Sequence, residues 1–225
     1  SLSPISDGIY NVQLDVADDA GNTDSITVTN GLTVDTTAPV VTINSVSSNN
    51  RRPTFSGSVT DSTMTSMSIT VDAQTFGATV VGSSWSAAPP ADLPDGLFNI
   101  EATATDAAGN MTMETRSNGA TIDATAPTVT INSLSTTDTT PALSGTVDDG
   151  TTDKTNAVTI SVMVAGSTYG ATNNMDGTWT LADNTISPAL LEGDHEVVAT
   201  ATDALGNVGT DGTTNELFVD SSGPV

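Results

Sequence analysis

The 225-residue sequence predicts an all-β protein built from tandem β-sandwiches. Three observations lead to this prediction: a composition that favours strands and turns, alternating apolar and polar residues, and long internal repeats. Threonine and valine favour strands, whereas glycine, asparagine and aspartate favour turns. Alternation is clearest in Leu97–Thr105, where Phe98, Ile100 and Ala102 share one face, as expected for a strand that buries one side.

The charge and the absence of cysteine exclude several classes of function. The chain carries 27 acidic and four basic residues, for a net charge of −23. Binding to a nucleic-acid backbone needs clustered Lys and Arg, and the basic spot at Arg51 and Arg52 is too small. With no cysteine, the chain has no disulfide or thiolate metal site, so a bound metal must use oxygen ligands. No apolar run approaches the roughly 18 residues that a membrane helix needs.

Two motifs recur with the same spacing. The first runs from an acidic turn residue to Gly-Asn and occupies 7–22, 95–110 and 192–207. The second, Asp-x-x-[Ala/Gly]-Pro, occupies 35–39, 123–127 and 220–224, so successive copies start 88 and then 97 residues apart. These repeats predict two full domains, 39–126 and 127–224, and place the C-terminal part of a preceding domain at 1–38. The additional residues of the second domain fall mainly around 150–157 and before Glu192.

Short strands separated by turn signals predict the architecture of each domain. In the first full repeat we expect Val40–Val46, Thr54–Val59, Met67–Asp72, Thr75–Val81, Phe98–Thr105 and Met111–Ile122. Six or seven strands with turns every 8–12 residues or so are typical of an immunoglobulin-type sandwich. Trp85 and Trp179, one in each full repeat, are the expected core anchors. Residues 1–38 hold too few strands to close a sandwich, so we expect the sequence to be a slice of a longer array, with pairing of this segment to another chain as the alternative.

The order of the motifs resembles a known family. D-x-x-A-P, V-T-I-N-S, S-G-x-V, a mid-domain Trp, D-G-x-[YF]-x-[VI] and A-T-D-x-x-G-N follow one another as in the bacterial Ig-like repeats of giant surface adhesins, including the extender regions of RTX-type adhesins. The resemblance covers essentially the whole chain. It implies secretion, tandem immunoglobulin-like β-sandwiches joined end to end by short Pro-containing linkers, and calcium at the junctions. The chain has no G-G-x-G-x-D run and no recognisable ligand-binding head, so it corresponds to the stalk.

The strand order of an Ig-type sandwich predicts which acidic residues meet. A linker Asp approaches an Asp after the second strand and an Asp in the turn between the last two strands. Converging carboxylates repel unless a cation neutralises them, and hard oxygen ligands select Ca²⁺. The predicted calcium ligands are Asp35, Asp61, Asp106 and Asn110 in the first full repeat, and Asp123, Asp149 (or its neighbour Asp148), Asp203 and Asn207 in the second. Asp18 and Asp220 would belong to sites with ligands elsewhere. Plain turn or cap chemistry, or a solvated acidic surface, is the alternative for these residues.

Other polar residues have simpler interpretations. Asp95 and Glu192 start tight turns at the opposite end of each sandwich and are interpreted as turn formers, with contact to a junction ion as the alternative. His195 stands where Tyr10 and Phe98 stand in the other repeats, which indicates a tyrosine-corner or core-edge role. A single histidine and the absence of a G-x-S-x-G motif argue against an enzyme.

These observations support a non-enzymatic extracellular spacer of a bacterial adhesin at the cell surface, serving cell adhesion or biofilm formation. Its partners are neighbouring repeats of the same chain, and Pro39 and Pro127 already restrict the linkers. One alternative is a filament or surface-layer subunit that assembles with other copies of itself through inter-chain strand contacts. Another is a carbohydrate-binding or enzyme-accessory module, which would need an exposed aromatic platform.

Overall fold

The computed structural model describes residues 3–61, 63–150 and 158–223. Every regular element in these ranges is a β-strand, which confirms the all-β prediction, and none of the described residues form a helix that could cross a membrane. The chain divides into two compact units, Ser1–Val46 with Arg52–Thr121 and Ser47–Arg51 with Ile122–Val225. The insertion predicted around 150–157 lies largely outside the described residues.

The first unit begins with a two-stranded antiparallel sheet formed by β1 (Gly8–Ala17) and β2 (Thr23–Val34). The ladder runs from the Gly8–Val34 pair to the Ala17–Thr23 pair, with a register shift between Tyr10 and Val12. We refer to these two strands as the N-terminal hairpin.

A complete sandwich follows the hairpin, and two sheets form its layers. One sheet has the order β3-β5-β9-β8 and the other the order β4-β11-β10-β6-β7. The strands are β3 (Val40–Ile43), β4 (Val46–Ser48), β5 (Phe55–Thr60), β6 (Met64–Val71), β7 (Gln74–Gly77), β8 (Thr79–Val81), β9 (Ser84–Ala87), β10 (Gly96–Asp106) and β11 (Met111–Ile122).

The second unit contains the equivalent sandwich. Its larger sheet has the order β12-β14-β17-β16-β15-β19-β20, and a smaller one has the order β13-β21-β18 with a parallel β13–β21 pair. The strands are β12 (Thr128–Val129), β13 (Leu134–Thr136), β14 (Leu143–Asp148), β15 (Thr159–Val164), β16 (Ser167–Asn173), β17 (Thr178–Leu181), β18 (Gly193–His195), β19 (Val197–Thr202), β20 (Val208–Thr210) and β21 (Leu217–Val219).

Two predicted strands are each divided in the structure because the chain changes sheets. Val40–Val46 becomes β3 and β4, and Thr75–Val81 becomes β7 and β8, with each pair split between the two layers. The strand that carries Trp85, β9, was not predicted as a separate element. When a strand changes from one sheet to the other, the residues before and after the change still alternate between apolar and polar. Periodicity alone therefore does not reveal where the change occurs.

Both tryptophans anchor the cores, as predicted. Trp85 and Trp179 are almost completely buried, and each indole Nε1 donates a hydrogen bond to a backbone carbonyl of the first strand segment: Thr42 O at 2.9 Å and Thr130 O at 3.0 Å. Gly57 and Gly145 lie next to these contacts. A Cβ at either glycine would overlap the carbonyl oxygen that accepts the indole hydrogen bond, so neither position has room for a side chain. The S-G motif of each repeat is therefore explained by close approach of three chain segments.

Candidate functional site

The turn that ends in Gly-Asn in each repeat is closed by its own side chains. In the first full repeat Asp106 Oδ1 accepts the Asn110 backbone N–H at 2.8 Å, and Oδ2 accepts Asn110 Nδ2–H at 2.8 Å. Burial of the Asp106 carboxyl acts to raise its pKa, but hydrogen bonds from Asn110, Gly109 and Ala108 outweigh burial and leave the pKa below its ordinary value. These contacts show that the first role of Asp106 is to hold the turn.

The same turn occurs in the other two repeats. Asp203 Oδ1 accepts the Asn207 N–H at 2.9 Å, and its Oδ2 accepts Asn207 Nδ2–H at 2.6 Å. Asp18 accepts the equivalent bonds from Asn22 at 2.9 and 2.7 Å, and the Asn22 side chain is the main cause of its lowered pKa. The recurring D-x-x-G-N motif therefore has a local structural explanation in each copy.

The asparagine of this turn also holds the linker. Asn110 Nδ2 donates to the backbone oxygen of Asp35 at 2.9 Å, and Asn207 Nδ2 donates to that of Asp123 at 2.8 Å. Each linker Asp is thereby placed beside the turn, as the Ig-type strand order predicted. Since the amide nitrogen of each asparagine faces the carboxylate, these contacts give both residues a positioning role.

In the first full repeat, a threonine joins two of the predicted acidic ligands. Thr63 Oγ1 lies 3.1 Å from Asp35 Oδ2 and 3.1 Å from Asp61 Oδ1, and the Thr63 N–H donates to Asp61 Oδ1 at 2.6 Å. A hydroxyl has one proton to donate, so it serves one carboxylate at a time. Sequence reasoning missed Thr63, because a threonine two residues after an Asp is a common turn pattern.

In the second full repeat, three of the predicted ligands come together. One carboxylate oxygen from each of Asp123, Asp149 and Asp203 lies within 4.8 Å of the other two, and within the described ranges this is the group of three acidic side chains that meets this limit. Asp149 is 7% and Asp203 8% exposed, and Asp123 is half-buried. The exposed Asp148 accepts the Gly150 N–H at 3.0 Å instead, so the structure selects Asp149 of the two neighbours.

We call Asp123, Asp149 and Asp203 the acidic cluster. Two unit charges 4.8 Å apart repel by about 3.5 kcal/mol at an effective dielectric constant of about 20. Calcium accepts oxygen ligands at about 2.3–2.6 Å, so two ligands on opposite sides of one ion are about 4.6–5.2 Å apart. The oxygen separations of the acidic cluster fit within one such coordination sphere, and carboxylate oxygens are the ligand type that Ca²⁺ takes.

In the first and third copies of the motif, the acidic turn residue at the other end of the repeat holds the linker that follows it. Asp7 Oδ1 accepts the Thr36 N–H at 3.0 Å and the Thr36 hydroxyl at 2.7 Å, and Oδ2 accepts the Thr37 hydroxyl at 2.8 Å. The Thr36 and Thr37 hydroxyls hold the pKa of Asp7 below its ordinary value. Glu192 Oε1 likewise accepts the Ser222 N–H at 2.6 Å, and the Ser222 hydroxyl donates to Asp220.

These acids therefore do more than form turns. The signal in the sequence was the spacing between the acid and the linker Asp, which is 28 residues in all three copies of the motif.

The predicted tyrosine corner is confirmed. Tyr10 Oη donates to the Ser6 carbonyl at 2.7 Å, and His195 Nε2 lies 2.7 Å from the Leu191 carbonyl, the same four residues upstream. His195 thus fastens the start of a strand to the preceding turn.

Several solved structures are similar to this chain. No curated protein matches the sequence. Similar solved structures include a Ca²⁺-stabilized adhesin that helps an Antarctic bacterium reach out and bind ice (22% identity, 93% of this chain and 57% of that chain, TM-score 0.42). They also include a tetra-tandem repeat in the extending region of a large adhesion protein (30% identity, 96% and 57%, TM-score 0.42) and fibronectin(III)-like modules of Clostridium thermocellum CbhA (15% identity, 80% and 94%, TM-score 0.39). The chain spans 57% of the length of each adhesin chain.

Two family models match the sequence itself. The bacterial Ig-like domain (group 3) model matches residues 1–81. The bacterial Ig-like domain model matches residues 44–124 and 127–221, which together exceed half of the chain. The predicted resemblance to bacterial Ig-like repeats is thus confirmed: the chain belongs to the bacterial Ig-like domain family.

Proposed function

We propose that this chain is a non-enzymatic extracellular spacer in the stalk of a bacterial surface adhesin, with linkers made rigid by calcium and a role in cell adhesion or biofilm formation. The observation that carries the proposal is the acidic cluster, in which a linker residue, Asp123, shares one small volume with two carboxylates of the sandwich that follows it. A bound cation would join the linker to that sandwich.

Hydrogen bonds already hold part of this linker. Asn207 holds the Asp123 carbonyl, the Asp123 carboxylate accepts the Thr125 N–H at 3.2 Å, and Pro127 restricts the backbone. In the acidic cluster, Asp123, Asp149 and Asp203 would hold the ion, which would supply a positive charge that removes the repulsion among them. The remaining freedom of the Asp123 side chain would then be lost.

The size of the effect follows from linkage. Extracellular modules bind calcium with dissociation constants of about 10⁻⁴–10⁻³ M. Calcium at about 10 to 100 times that constant would add about 1.4–2.7 kcal/mol to the free energy of unfolding of the second unit. Without calcium, we expect the linker to exchange its amide hydrogens faster and the acidic repeats to repel one another.

Calcium titration of matched variants tests the proposal. Asp149→Asn removes one charge from the acidic cluster, and Asp148→Asn removes the same charge from the exposed neighbouring position. Calcium should raise the melting temperature of the second unit in the unaltered chain and in Asp148→Asn, but much less in Asp149→Asn. Hydrogen exchange read by mass spectrometry assigns the effect to residues 122–223. An equal response of the two variants would refute the assignment of the site.

The acids of the first full repeat remain a prediction, and the same design addresses them separately. Asp61→Asn should reduce calcium-dependent protection of residues 35–39 if Asp35, Asp61 and Asp106 bind an ion. If Thr63 already satisfies Asp35 and Asp61, the variant will leave calcium-dependent protection unchanged there while the second unit still responds.

The filament alternative has one observation in its favour: Leu14 and Ile26 of the N-terminal hairpin, which pair across β1 and β2, are 60% and 62% exposed. A subunit of an extracellular filament or surface layer would pair such strands between chains. Electron microscopy of the purified chain distinguishes the two functions, because ordered polymers would favour the filament and isolated rods the spacer.

A further inference from the structure

Two acidic residues of the second sandwich lie where its chain passes from one sheet to the other. Glu196 lies between β18 and β19, which belong to different sheets, and residues 211–216 lie between β20 and β21, which also belong to different sheets. We call Glu196 and residues 211–216 the sheet crossover. The Val197 N–H donates to Glu216 Oε2 at 3.3 Å, and the Asn215 N–H donates to Glu196 Oε2 at 3.3 Å. Each carboxylate therefore reaches the backbone beside the other acidic residue.

Glu216 is a buried acid with one oxygen unsatisfied. It is 3% exposed, and its Oε1 has no hydrogen-bond partner among the described residues. No ion pair in that part of the chain involves Glu216. A buried charge without a counter-charge is strongly destabilising, so an oxygen of this kind requires an explanation. A bound cation would supply both the missing contact and the counter-charge.

The backbone contact at Glu196 does not require a charge. In the first full repeat the Asn118 N–H donates to Asn99 Oδ1 at 2.9 Å, at the two positions that lie 97 residues before Asn215 and Glu196. Both donors have a positive φ, 50° at Asn118 and 61° at Asn215, so the local backbone is alike. Since a neutral asparagine holds this contact in the first full repeat, the contact alone does not explain the carboxylate of Glu196.

The second full repeat also differs in the space around Glu216. The first full repeat has Gly119 at this position, where a Cβ would lie 3.0 Å from both Ile100 Cδ1 and Arg116 Cγ. Two shorter residues stand at the latter positions in the second full repeat: Val197 and Thr213. The crowding that excludes a side chain in the first full repeat is therefore reduced where Glu216 stands.

We propose that the sheet crossover binds a divalent cation of the calcium type, with Glu216 Oε1 and the Glu196 carboxylate as its charged ligands. Two carboxylates match the charge of a divalent ion, and calcium accepts six to eight oxygen ligands in a flexible geometry. Because Glu196 is exposed, water reaches the site from its side and completes the coordination. The site shares no residue with the acidic cluster. Of the three copies of the repeat, the last has acidic residues at both positions, whereas the N-terminal hairpin has Asn11 and Gly31 there.

A bound cation would fasten two strands of different sheets. Val197 begins β19, and Glu216 directly precedes β21, so the ion would lie where both strands start. The affinity of calcium sites depends on the number of charged ligands. With two carboxylates, we expect a dissociation constant at the weak end of the range for extracellular modules, about 10⁻³ M.

Amide hydrogen exchange at Val197 and Asn215, read by NMR, tests the proposal. Every chain carries Asp149→Asn, which removes one charge from the acidic cluster and so limits calcium effects from that cluster. Calcium at about 10 mM, ten times the expected constant, should slow exchange of both amides about tenfold, because the ion has to leave before the crossover opens. The effect should persist with Asp183→Asn, a charge-matched change at an exposed position of the same unit. It should be lost with Glu216→Gln, which keeps the shape of the side chain and removes its charge.

A second variant separates cation binding from a purely structural role of the two acids. Glu196→Asn introduces the residue that holds the same backbone contact in the first full repeat, and it should also abolish the calcium effect. Exchange of both amides that does not respond to calcium in the Asp149→Asn chain would overturn the proposal, and so would an unchanged calcium effect with Glu216→Gln. Either result would leave the calcium proposed for the acidic cluster untouched, because that site is tested by comparing Asp149→Asn with Asp148→Asn.

Discussion

Gly145→Ala tests the packing of the second sandwich. Gly145 is buried in β14 and has no positive φ, so its backbone conformation allows alanine. The obstacle is space, because the new Cβ would overlap the Thr130 carbonyl oxygen and lie 2.7 Å from Trp179 Nε1. Since the oxygen belongs to the backbone, relief requires β14 or the segment that carries Thr130 to move, and the indole must shift as well.

The expected cost combines two effects. Overpacking of a well-packed core costs about 1–3 kcal/mol. Displacement of the indole would also break the Trp179–Thr130 hydrogen bond and leave a buried donor unsatisfied, at about 1–3 kcal/mol. We therefore expect Gly145→Ala to lower the free energy of unfolding of the second unit by about 2–6 kcal/mol.

Urea denaturation followed by tryptophan fluorescence, with hydrogen exchange to separate the two units, measures this loss. Gly170→Ala is the matched control, because a Cβ at Gly170 meets nothing within 4 Å and Gly170 also lies in a strand of the same unit. The control should change stability by no more than about 0.5 kcal/mol. Equal stability of the two variants would refute the close-approach explanation of the S-G motif.

Further variants test other contacts. Trp85→Phe removes the donor to the Thr42 carbonyl and should cost about 1–3 kcal/mol in denaturant unfolding of the first unit. The lowered pKa of Asp106 contributes stability that is present above the ordinary pKa of 3.8 and is lost as pH falls through the folded-state pKa. The melting temperature of the first unit should therefore drop in acid, and Asp106→Asn should flatten that pH dependence. Asp7→Ala should speed hydrogen exchange of the Thr36 amide, which donates a hydrogen bond to Asp7, and should leave hydrogen exchange in the sandwich core unchanged. Asn207→Ala should destabilise the second unit by about 1–2 kcal/mol and weaken its calcium response, as measured by melting temperature with and without calcium.

The candidate site was predictable in part. The two motifs named Asp123 and Asp203 directly, because both recur at constant spacing and the strand order brings their segments together. The choice between Asp148 and Asp149 was not predictable, since the two are sequence neighbours and only the end of β14 decides which one turns inward. Thr63 was missed for a similar reason, because its contacts with Asp35 and Asp61 depend on where three segments meet.

The amino-acid sequence by itself determined the all-β class, the repeats, the turn motifs and the two tryptophan anchors. The fold class, the turns and the anchors follow from local residue preferences and from alternation with a period of two, and both signals can be read within a short segment. The repeats follow from comparing one segment of the sequence with another. The tertiary structure alone decided where strands change sheets, why Gly57 and Gly145 must lack a side chain, and which carboxylates share a volume. These features are distances between residues that are far apart in the chain, and such distances exist only once the sheets have packed.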